Sequence, residues 1–507
     1  MWRAELCCLF DRLLGVRIRA PVLCVCLLMV SACSGTSSPS TAAEPTTTMT
    51  LKVTSTSTVP QSTSTTLLGP TSSLQRLDEG TLQAVGSPLL LSGFLAEEHV
   101  SLPDGRLLLF TFEEDDWTAV VFDPEQHRVD LEVEAPFTSG VRTLGYSAAL
   151  ERVVMYGFDL DTQHLYLFDP KTASFDERTL FDDADLGWIH EAALIDGGRK
   201  VALYETFGYL EDHVGEPPQV RVGDLTTNTL GEPIEVTGVI HGHAELIPEA
   251  IRDPAWPYGE VEPAIAFDET RSRLFVVHAD GAGLTTVDLL EGTAEVASLA
   301  EPPGFWTSVM SWLVPPAQAK GSEPSARLSA WLNTDGTELL VTGESGDAWR
   351  DDEKKLHTTH TALGLMVIDT QSLELERTLE LPTNQGLSTS DAVVLTGSEG
   401  TQVWCDEECK PGNNEPEVEG EYESSGLILL DPTSLELRLQ HNPGDGFNPL
   451  GVYQDWLVVE TSSEGWWGFE SINLATGQPG GRTNEVSGTS YLIVTELGVY
   501  LNGQNGS

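Results

Sequence analysis

LMVIDT (365–370) contains in six residues the pattern that decides the fold: aliphatic residues, then an aspartate, then a turn. The same phrase recurs in AVVFDP (119–124), LYLFDP (165–170), VRVGDLTT (220–227), LTTVDL (284–289), LILLDPT (427–433) and ESINLAT (470–476). A short strand that ends in an Asx-stabilised turn, repeated along a chain, is typical of repeat β-sheet proteins. We call the Asp or Asn of each copy a marker residue; the seven are Asp123, Asp169, Asp224, Asp288, Asp369, Asp431 and Asn473.

The spacing of the markers indicates the size of each repeat. Asp431 and Asn473 are the closest, at 42 residues, and Asp288 and Asp369 are the most distant, at 81. Propeller blades with tight loops contain about 40–45 residues, so the longer repeats contain insertions. A further strand-like run, such as RLLLFTF (106–112), precedes each phrase, and long helical periodicity is absent. We therefore predict an all-β, seven-bladed β-propeller over residues 76–507, with six to eight blades as the range.

The fifth repeat resembles a known family. NTDGTELLVTGES (333–345), followed after an insertion by ALGLMVIDTQSLELERTLELP (362–382), is similar to the repeat of the YVTN family of WD40-like β-propellers. LPDGRLLLFTF (102–112) matches the same pattern less fully. The resemblance implies blade structure only. Propellers of this kind include scaffolds, surface proteins and a few enzymes, so the fold implies no single function.

The N-terminal residues have the layout of a secretory signal. Residues 1–20 carry four arginines against two acidic residues, and an apolar run over 22–30 precedes Ser31, Ala32 and Cys33. This run is too short to span a bilayer, which needs about 20 apolar residues. The segment 30–33 also resembles the bacterial lipobox, which implies a lipoprotein signal peptide over 1–32 and a lipid on Cys33. The alternative is an incidental cysteine in an ordinary signal peptide.

Residues 33–75 are rich in Ser, Thr and Pro and carry very little charge. Such a composition has too little apolar surface to offset the entropy of ordering, so we predict a disordered tether. A lipidated Cys33 at its start would hold the propeller away from a bacterial membrane. The expected location is therefore extracytoplasmic, in the cell envelope.

Cys405 and Cys409 are the only cysteines after residue 33. A close pair in an exported protein predicts a disulfide. The surrounding segment, WCDEECKPGNNEPEVEGEYESSG (404–426), is polar and rich in Pro and Gly, so the bridge would fix a surface loop. Metal binding through the Cys-x3-Cys spacing is the alternative interpretation.

Four histidines form the candidate metal site. His241 and His243 lie in one insertion, and His190 and His213 come from earlier loops that could meet it. Three imidazoles with a carboxylate would suit zinc or copper, whereas the alternative is four solvated loop residues. No nucleophile-elbow or P-loop motif occurs in the sequence. We predict no catalytic residue and no cofactor, with a divalent metal at these histidines as the alternative.

The marker residues also have two interpretations. A ring of carboxylates could bind metal or take part in catalysis. Alternatively, each marker side chain could stabilise the turn between the third and fourth strands by accepting backbone hydrogen bonds. Regular spacing would distribute the seven around the ring, far from one another, which favours the structural role.

The formal net charge of the chain is −51. A field of this size excludes nucleic acid as a partner and attracts cationic proteins or peptides; solubility in a saline habitat is the alternative explanation. We expect a monomeric propeller that acts as a binding or scaffold module for a protein or peptide. The alternative is a metal-dependent hydrolase, lyase or oxidoreductase built on one propeller face.

Overall fold

The computed structural model describes residues 71–159, 162–178, 187–209, 213–246, 258–299, 323–350, 356–405, 417–442, 444–463, 466–483 and 491–505. These residues form 36 strands and one short 3₁₀ turn, Asp196–Gly198. Within the described part of the chain, no helix is long and apolar enough to cross a membrane. All of the described residues lie in one compact unit, 66–507. The predicted all-β class is confirmed.

The first three sheets follow one another along the chain, each with its strands in sequential antiparallel order. The described part of the chain starts with β1 (Thr71–Leu77) and β2 (Leu89–Ser92). Sheet 1 contains β3 (Phe94–Ser101), β4 (Leu107–Glu113), β5 (Asp116–Asp123) and β6 (Arg128–Glu134). Sheet 2 contains β7 (Gly140–Ser147), β8 (Arg152–Asp159), β9 (Thr162–Asp169) and β10 (Ser174–Arg178). Sheet 3 contains β11 (Trp188–Ile195), β12 (Lys200–Thr206) and β13 (Gln219–Asp224), with the short β14 (Thr229–Leu230) and β15 (Ile234–Glu235) sharing its outer edge.

Two inserted strands, β16 (Gly242–Leu246) and β17 (Tyr258–Glu262), precede sheet 4. Sheet 4 contains β18 (Ala264–Asp268), β19 (Arg273–Val277), β20 (Gly283–Asp288) and β21 (Thr293–Ser298). Sheet 5 contains β22 (Glu323–Leu332), β23 (Glu338–Arg350), β25 (Leu365–Asp369) and β26 (Leu375–Leu379), with β24 (Leu356–Ala362) inserted after β23. Sheet 6 contains β27 (Gln385–Ser388), β28 (Val393–Cys405), β29 (Glu417–Leu430) and β30 (Leu437–His441). Sheet 7 contains β31 (Gly446–Tyr453), β32 (Trp456–Ser463), β33 (Trp466–Asn473) and β34 (Pro479–Thr483).

The two ends of the described chain meet in sheet 8. Its order is β35 (Tyr491–Thr495), β36 (Gly498–Asn505) and then β1. β1 pairs antiparallel with β36 over seven residues, from Thr71 opposite Asn505 to Leu77 opposite Val499. This pairing covers an edge of β36 that would otherwise present unpaired backbone groups. The ring is therefore closed by non-covalent strand exchange between the termini.

Eight buried clusters connect the sheets in a closed cycle, each lying between two successive sheets. The cluster between sheets 8 and 1 contains Leu74, Leu109, Phe122 and Tyr500, all essentially inaccessible to solvent. The cluster between sheets 7 and 8 contains Leu77, which also comes from β1. Each sheet thus packs on both neighbours, as blades of a β-propeller do.

The ring contains eight sheets, which is the upper limit of the expected range and one more than the seven that the markers suggest. Sheet 8 carries no marker because its strands come from the two ends of the chain. The strand that pairs with β36 is β1, and not the neighbouring β2 or β3. Since β1 begins at Thr71, residues 71–75 belong to the propeller and not to the tether predicted over 33–75.

The antiparallel order gives each sheet two different ends. The turns after the first and third strands lie at one end, which we call the marker end because the marker residues occur there. The opposite end, the insertion end, carries the turn after the second strand and the connection to the next sheet. In sheets 1–7 the marker-end turns are short, whereas the long connections, such as those between β12 and β13 and between β15 and β18, lie at the insertion end. In sheet 8 the longer connection between β1 and β2 lies at the marker end, where Ser87 accepts a hydrogen bond from His127.

Several of these insertions form a second sheet. The strand order β16-β17-β22-β23-β24-β28-β29 is continuous, because β23, β28 and β29 extend beyond their blades and β24 pairs with β28. We call this set the insertion sheet; it consists of residues 242–246, 258–262, 323–327, 344–350, 356–362, 398–405 and 417–424. It connects the insertion ends of sheets 4, 5 and 6.

Candidate functional site

His190 and His241 lie together at the insertion end of sheet 3. His190 is in β11, the first strand of that sheet, and His241 immediately precedes β16. Their rings are in edge-to-face contact, with centroids 4.2 Å apart. His241 has no solvent exposure, and its Nδ1 lies 3.3 Å from the hydroxyl of Tyr204 in β12. Its Nε2 has no hydrogen-bond partner among the described residues.

Tyr209 and His243 complete this group. The Tyr209 ring lies 5.8 Å from the His241 ring and 5.6 Å from that of His243. His243 is buried, and the Tyr209 hydroxyl donates to Glu262 Oε1 at 3.5 Å. We call His190, Tyr204, Tyr209, His241 and His243 the histidine–tyrosine cluster.

Backbone contacts hold the cluster in place. The Thr206 hydroxyl donates to the carbonyl of His241 at 3.0 Å, and the amide of His243 donates to the carbonyl of Gly208 at 2.8 Å. A Cβ on Gly208 would lie only 2.0 Å from the His241 carbonyl oxygen. Glycine is therefore required at position 208 for the two segments to approach this closely.

Burial keeps the two contacting histidines neutral. Desolvation, followed by the charge of Arg142, lowers the pKa of His190 to about 4. Desolvation, followed by the neighbouring His190, holds the pKa of His241 well below its ordinary value of 6.5. Burial in turn raises the pKa of Tyr204 well above 10. At neutral pH His190, His241 and Tyr204 are thus all uncharged.

Arg142 links this cluster to the inner strands of the ring. From β7, its guanidinium donates to the His190 carbonyl at 3.0 Å and to Glu191 Oε2 at 2.8 Å. The next residue of β7, Thr143, donates through both its backbone amide and its hydroxyl to Oε2 of Glu98 in β3, the inner strand of sheet 1. The inner strands β3, β7 and β11 are therefore joined by hydrogen bonds in which charged side chains take part.

The structure brings only part of the predicted metal site together. His190, His241 and His243 meet at the cluster, whereas His213 is half exposed and bonds Glu216 at 2.9 Å while stacking near Phe207. Across the described residues, no group of three or more His, Cys, Asp or Glu side chains has an arrangement that could hold a metal ion. Sequence reasoning missed Tyr204, Tyr209 and Arg142, because only the fold brings these residues to the histidines.

The other predicted site residues lie elsewhere. Cys33 and Cys409 fall outside the described residues, and Cys405 ends strand β28. Each marker lies at the end of the third strand of its sheet, so the seven are distributed around the marker end. Their side-chain oxygens accept backbone amides two or three residues ahead, as in the Asp169 bonds to Lys171 and Thr172 at 2.8 and 3.3 Å. In all seven turns the residue four positions after the marker has positive φ.

The insertion sheet is strongly acidic. Its basic residues are Arg327 and Arg350. Its acidic residues are Glu245, Glu260, Glu262, Glu323, Glu344, Asp347, Glu399, Glu417, Glu419, Glu421 and Glu423. At the insertion end of sheet 7, the exposed Trp467 donates from its indole nitrogen to Glu460 at 2.7 Å. This end of the ring therefore combines long connections, negative charge and an exposed aromatic ring.

Comparisons with known proteins add no family. No protein-family model matches the sequence. No curated protein matches it. Among solved structures, the Dos1 propeller aligns with a TM-score of 0.39 and 12% identity over 85% of this chain and 95% of its own. The β-propeller domain of the trilobed protease from Pyrococcus furiosus aligns with a TM-score of 0.33 and 10% identity over 75% of this chain and 95% of that one.

TolB from Acinetobacter baumannii aligns with a TM-score of 0.28 and 9% identity over 78% of each chain. These scores are too low to support an argument about this chain. The assignment of the fold rests instead on the eight sheets and on the closed cycle of buried clusters between them. The protein is a β-propeller.

Proposed function

We propose that this protein is a lipid-anchored, extracytoplasmic binding propeller that captures a cationic protein or peptide at its insertion end. The observation that carries the proposal is the asymmetry of the ring. The marker-end turns of sheets 1–7 are short, whereas their long connections and the acidic insertion sheet are concentrated at the insertion end. Connecting segments on a rigid scaffold are where binding residues are most often found.

The chemistry of the insertion end supports a cationic partner. The insertion sheet has eleven acidic residues against two arginines, in a chain of net charge −51. Trp467 with its bonded Glu460 offers a ring face and a carboxylate side by side, a combination that suits Lys or Arg side chains. Negative potential steers basic partners to the surface and repels nucleic acid.

Binding can be tested with a basic peptide and a salt series. We expect the propeller to bind a lysine-rich peptide, and the affinity to fall strongly between about 0.1 and 1 M salt, since the Debye length shrinks from about 10 to about 3 Å. The matched control is an acidic peptide of equal length. Failure to bind any basic peptide, or affinity that is independent of salt, would contradict the proposal.

The anchor is tested separately at Cys33, the cysteine that follows Ser31 and Ala32. We expect the wild-type chain expressed in a bacterial host to enter the detergent phase on phase partitioning, because acyl chains on Cys33 bring apolar surface. The Cys33→Ser chain should remain in the aqueous phase. The control is Cys26→Ser, which changes a cysteine inside the predicted signal peptide. Equal partitioning of Cys33→Ser and wild type would exclude lipidation at this position.

The second candidate is a metal-dependent enzyme that uses the histidine–tyrosine cluster. The observation in its favour is the buried Nε2 of His241, which lacks a hydrogen-bond partner among the described residues and is available as a ligand in its neutral form. Elemental analysis of the purified protein separates the two candidates. About one equivalent of zinc or copper, lost in a His190→Ala/His241→Ala variant, would replace the binding proposal with the enzyme.

A further inference from the structure

The outermost strand of the insertion sheet has an open edge. β28 pairs with β29 along its whole length, from Cys405 opposite Glu417 to Val393 opposite Leu430. On the other side of β29, β30 pairs only with residues 427–430, and Gly444 bonds the carbonyl of Ser424. Within the described part of the chain, no strand pairs with that second side of Glu417–Glu423.

An open edge of this kind is a template for another strand. In an antiparallel pair, alternate residues direct their amide and carbonyl groups away from the partner strand. Seven residues of β29 therefore offer several unpaired backbone donors and acceptors in a regular row. An extended peptide can add to such an edge as a further strand, with backbone hydrogen bonds contributing affinity.

The charge of the edge decides what can add to it. Glutamates occupy every second position, at 417, 419, 421 and 423, and the side chain of Glu423 is exposed. A second copy of this chain would bring glutamates opposite glutamates, which is unfavourable. An extended segment with lysine or arginine at alternate positions would instead bring opposite charges into register.

We propose that residues Glu417–Glu423 of β29 are the docking edge for an extended, lysine- or arginine-containing segment of a partner protein, which adds as a new antiparallel or parallel strand. The inference rests on the proposed binding function and identifies its site and the chemistry of its ligand. Recognition has two components: the backbone groups of the edge bind the strand, and the four glutamates select positive charge.

A heptapeptide of alternating lysine and valine is the probe, and the same peptide with N-methylated valine amides is its control. N-methylation keeps the charge but removes backbone donors. We expect the methylated peptide to bind the full-length protein in detergent at least about tenfold more weakly. Addition of the unmodified peptide should slow amide hydrogen exchange in residues 417–423.

A charge-reversal pair tests the location. Glu419→Lys/Glu421→Lys should reduce peptide affinity by at least about tenfold, whereas the control Glu132→Lys/Glu134→Lys, on the exposed outer strand β6, should change it less than about twofold. Thermal melting of each variant confirms that it is folded. The methylated peptide gives an independent result on the wild-type protein if a variant does not fold.

The outcomes separate this inference from the proposed function. The docking edge would be overturned if N-methylation did not weaken peptide binding and if both charge-reversal variants bound the peptide equally. Binding would then be due to the general negative charge of the surface. Absence of binding to any basic peptide would overturn both proposals. A concentration-dependent dimer that is lost in Glu419→Lys/Glu421→Lys would show that a second copy occupies the edge, and would also overturn the inference.

Discussion

The buried histidine pair shows how tertiary structure gives a residue a pKa that the surrounding sequence does not indicate. His190 and His241 look like ordinary loop histidines in the sequence. In the structure, each is neutral because burial opposes protonation, with Arg142 adding to the effect at His190 and His190 itself adding to it at His241. Charging either ring would place a cation beside the Tyr204 and Tyr209 rings in a site without water access to His241.

This environment predicts a pH-dependent stability. The folded-state pKa of His190 is about 4 and that of His241 is below 6.5, whereas both are near 6.5 when unfolded. On unfolding these two residues therefore take up protons between about pH 4 and 6.5. Their contribution to the free energy of unfolding is fully present above that window and is lost as the pH falls through it. Denaturant titrations at pH 7.5, 6 and 5 measure this slope.

The His190→Gln/His241→Gln variant provides the comparison for the same titrations, since burial also raises the pKa of Glu97 and of Glu191 above the ordinary value of 4.5. Its free energy of unfolding should depend less on pH between 5 and 7 than that of the wild type. Identical slopes for the two proteins would mean that the histidines are not buried in neutral form.

The marker residues give a second prediction at this scale. Asp169 is nearly buried, accepts the amides of Lys171 and Thr172, and pairs with Arg152 at 2.9 Å. Asp169→Ala leaves these donors without their acceptor, so we expect a loss of about 1–2 kcal/mol in the free energy of unfolding. Asp169→Asn keeps the acceptor oxygen and should lose less. Equal loss of unfolding free energy in both variants would indicate that Asp169 stabilises the fold through its ion pair with Arg152 and not through the hydrogen bonds of the turn.

At the scale of elements, the close approach of residues 206–208 to 241–243 positions the histidine–tyrosine cluster. The contact depends on Gly208, where a Cβ would lie 2.0 Å from the His241 carbonyl oxygen. Gly208→Ala must therefore displace the segment that carries His241. We expect faster amide exchange at residues 241–243 and a lower melting temperature.

Gly231→Ala is the control for this change, because its added Cβ would lie 3.1 Å from the Val222 carbonyl oxygen, a contact that a small shift relieves. Its exchange in residues 241–243 should match the wild type. If Gly208→Ala also exchanges there at the wild-type rate, the contact is not what holds the cluster.

At the scale of the whole molecule, stability depends on closing the ring. β1 supplies the strand that pairs with β36, and its Leu74 and Leu77 enter two different buried clusters. Because Leu74 is completely buried, Leu74→Ala should cost about 2–5 kcal/mol of unfolding free energy. Deletion of residues 71–77 removes the entire strand and should cause aggregation or unfolding of the whole ring.

Deletion of residues 1–65 is the control, since these residues precede the compact unit 66–507 that contains every described strand. That truncated chain should melt at the wild-type temperature. A chain lacking residues 71–77 that melts like the control would show that the seven other sheets are stable without closure.

The sequence alone determined the repeating unit of this protein. Alternating aliphatic runs and Asx turns are local signals, so seven blades, their marker turns and the all-β class could be predicted from neighbouring residues. The eighth sheet was missed because its strands lie at opposite ends of the chain and share no local pattern. The histidine–tyrosine cluster and the open edge of β29 were likewise decided only by tertiary structure. Tyr204, Arg142 and the histidines are far apart in sequence, and strand pairing between insertions depends on the ring that brings neighbouring blades together.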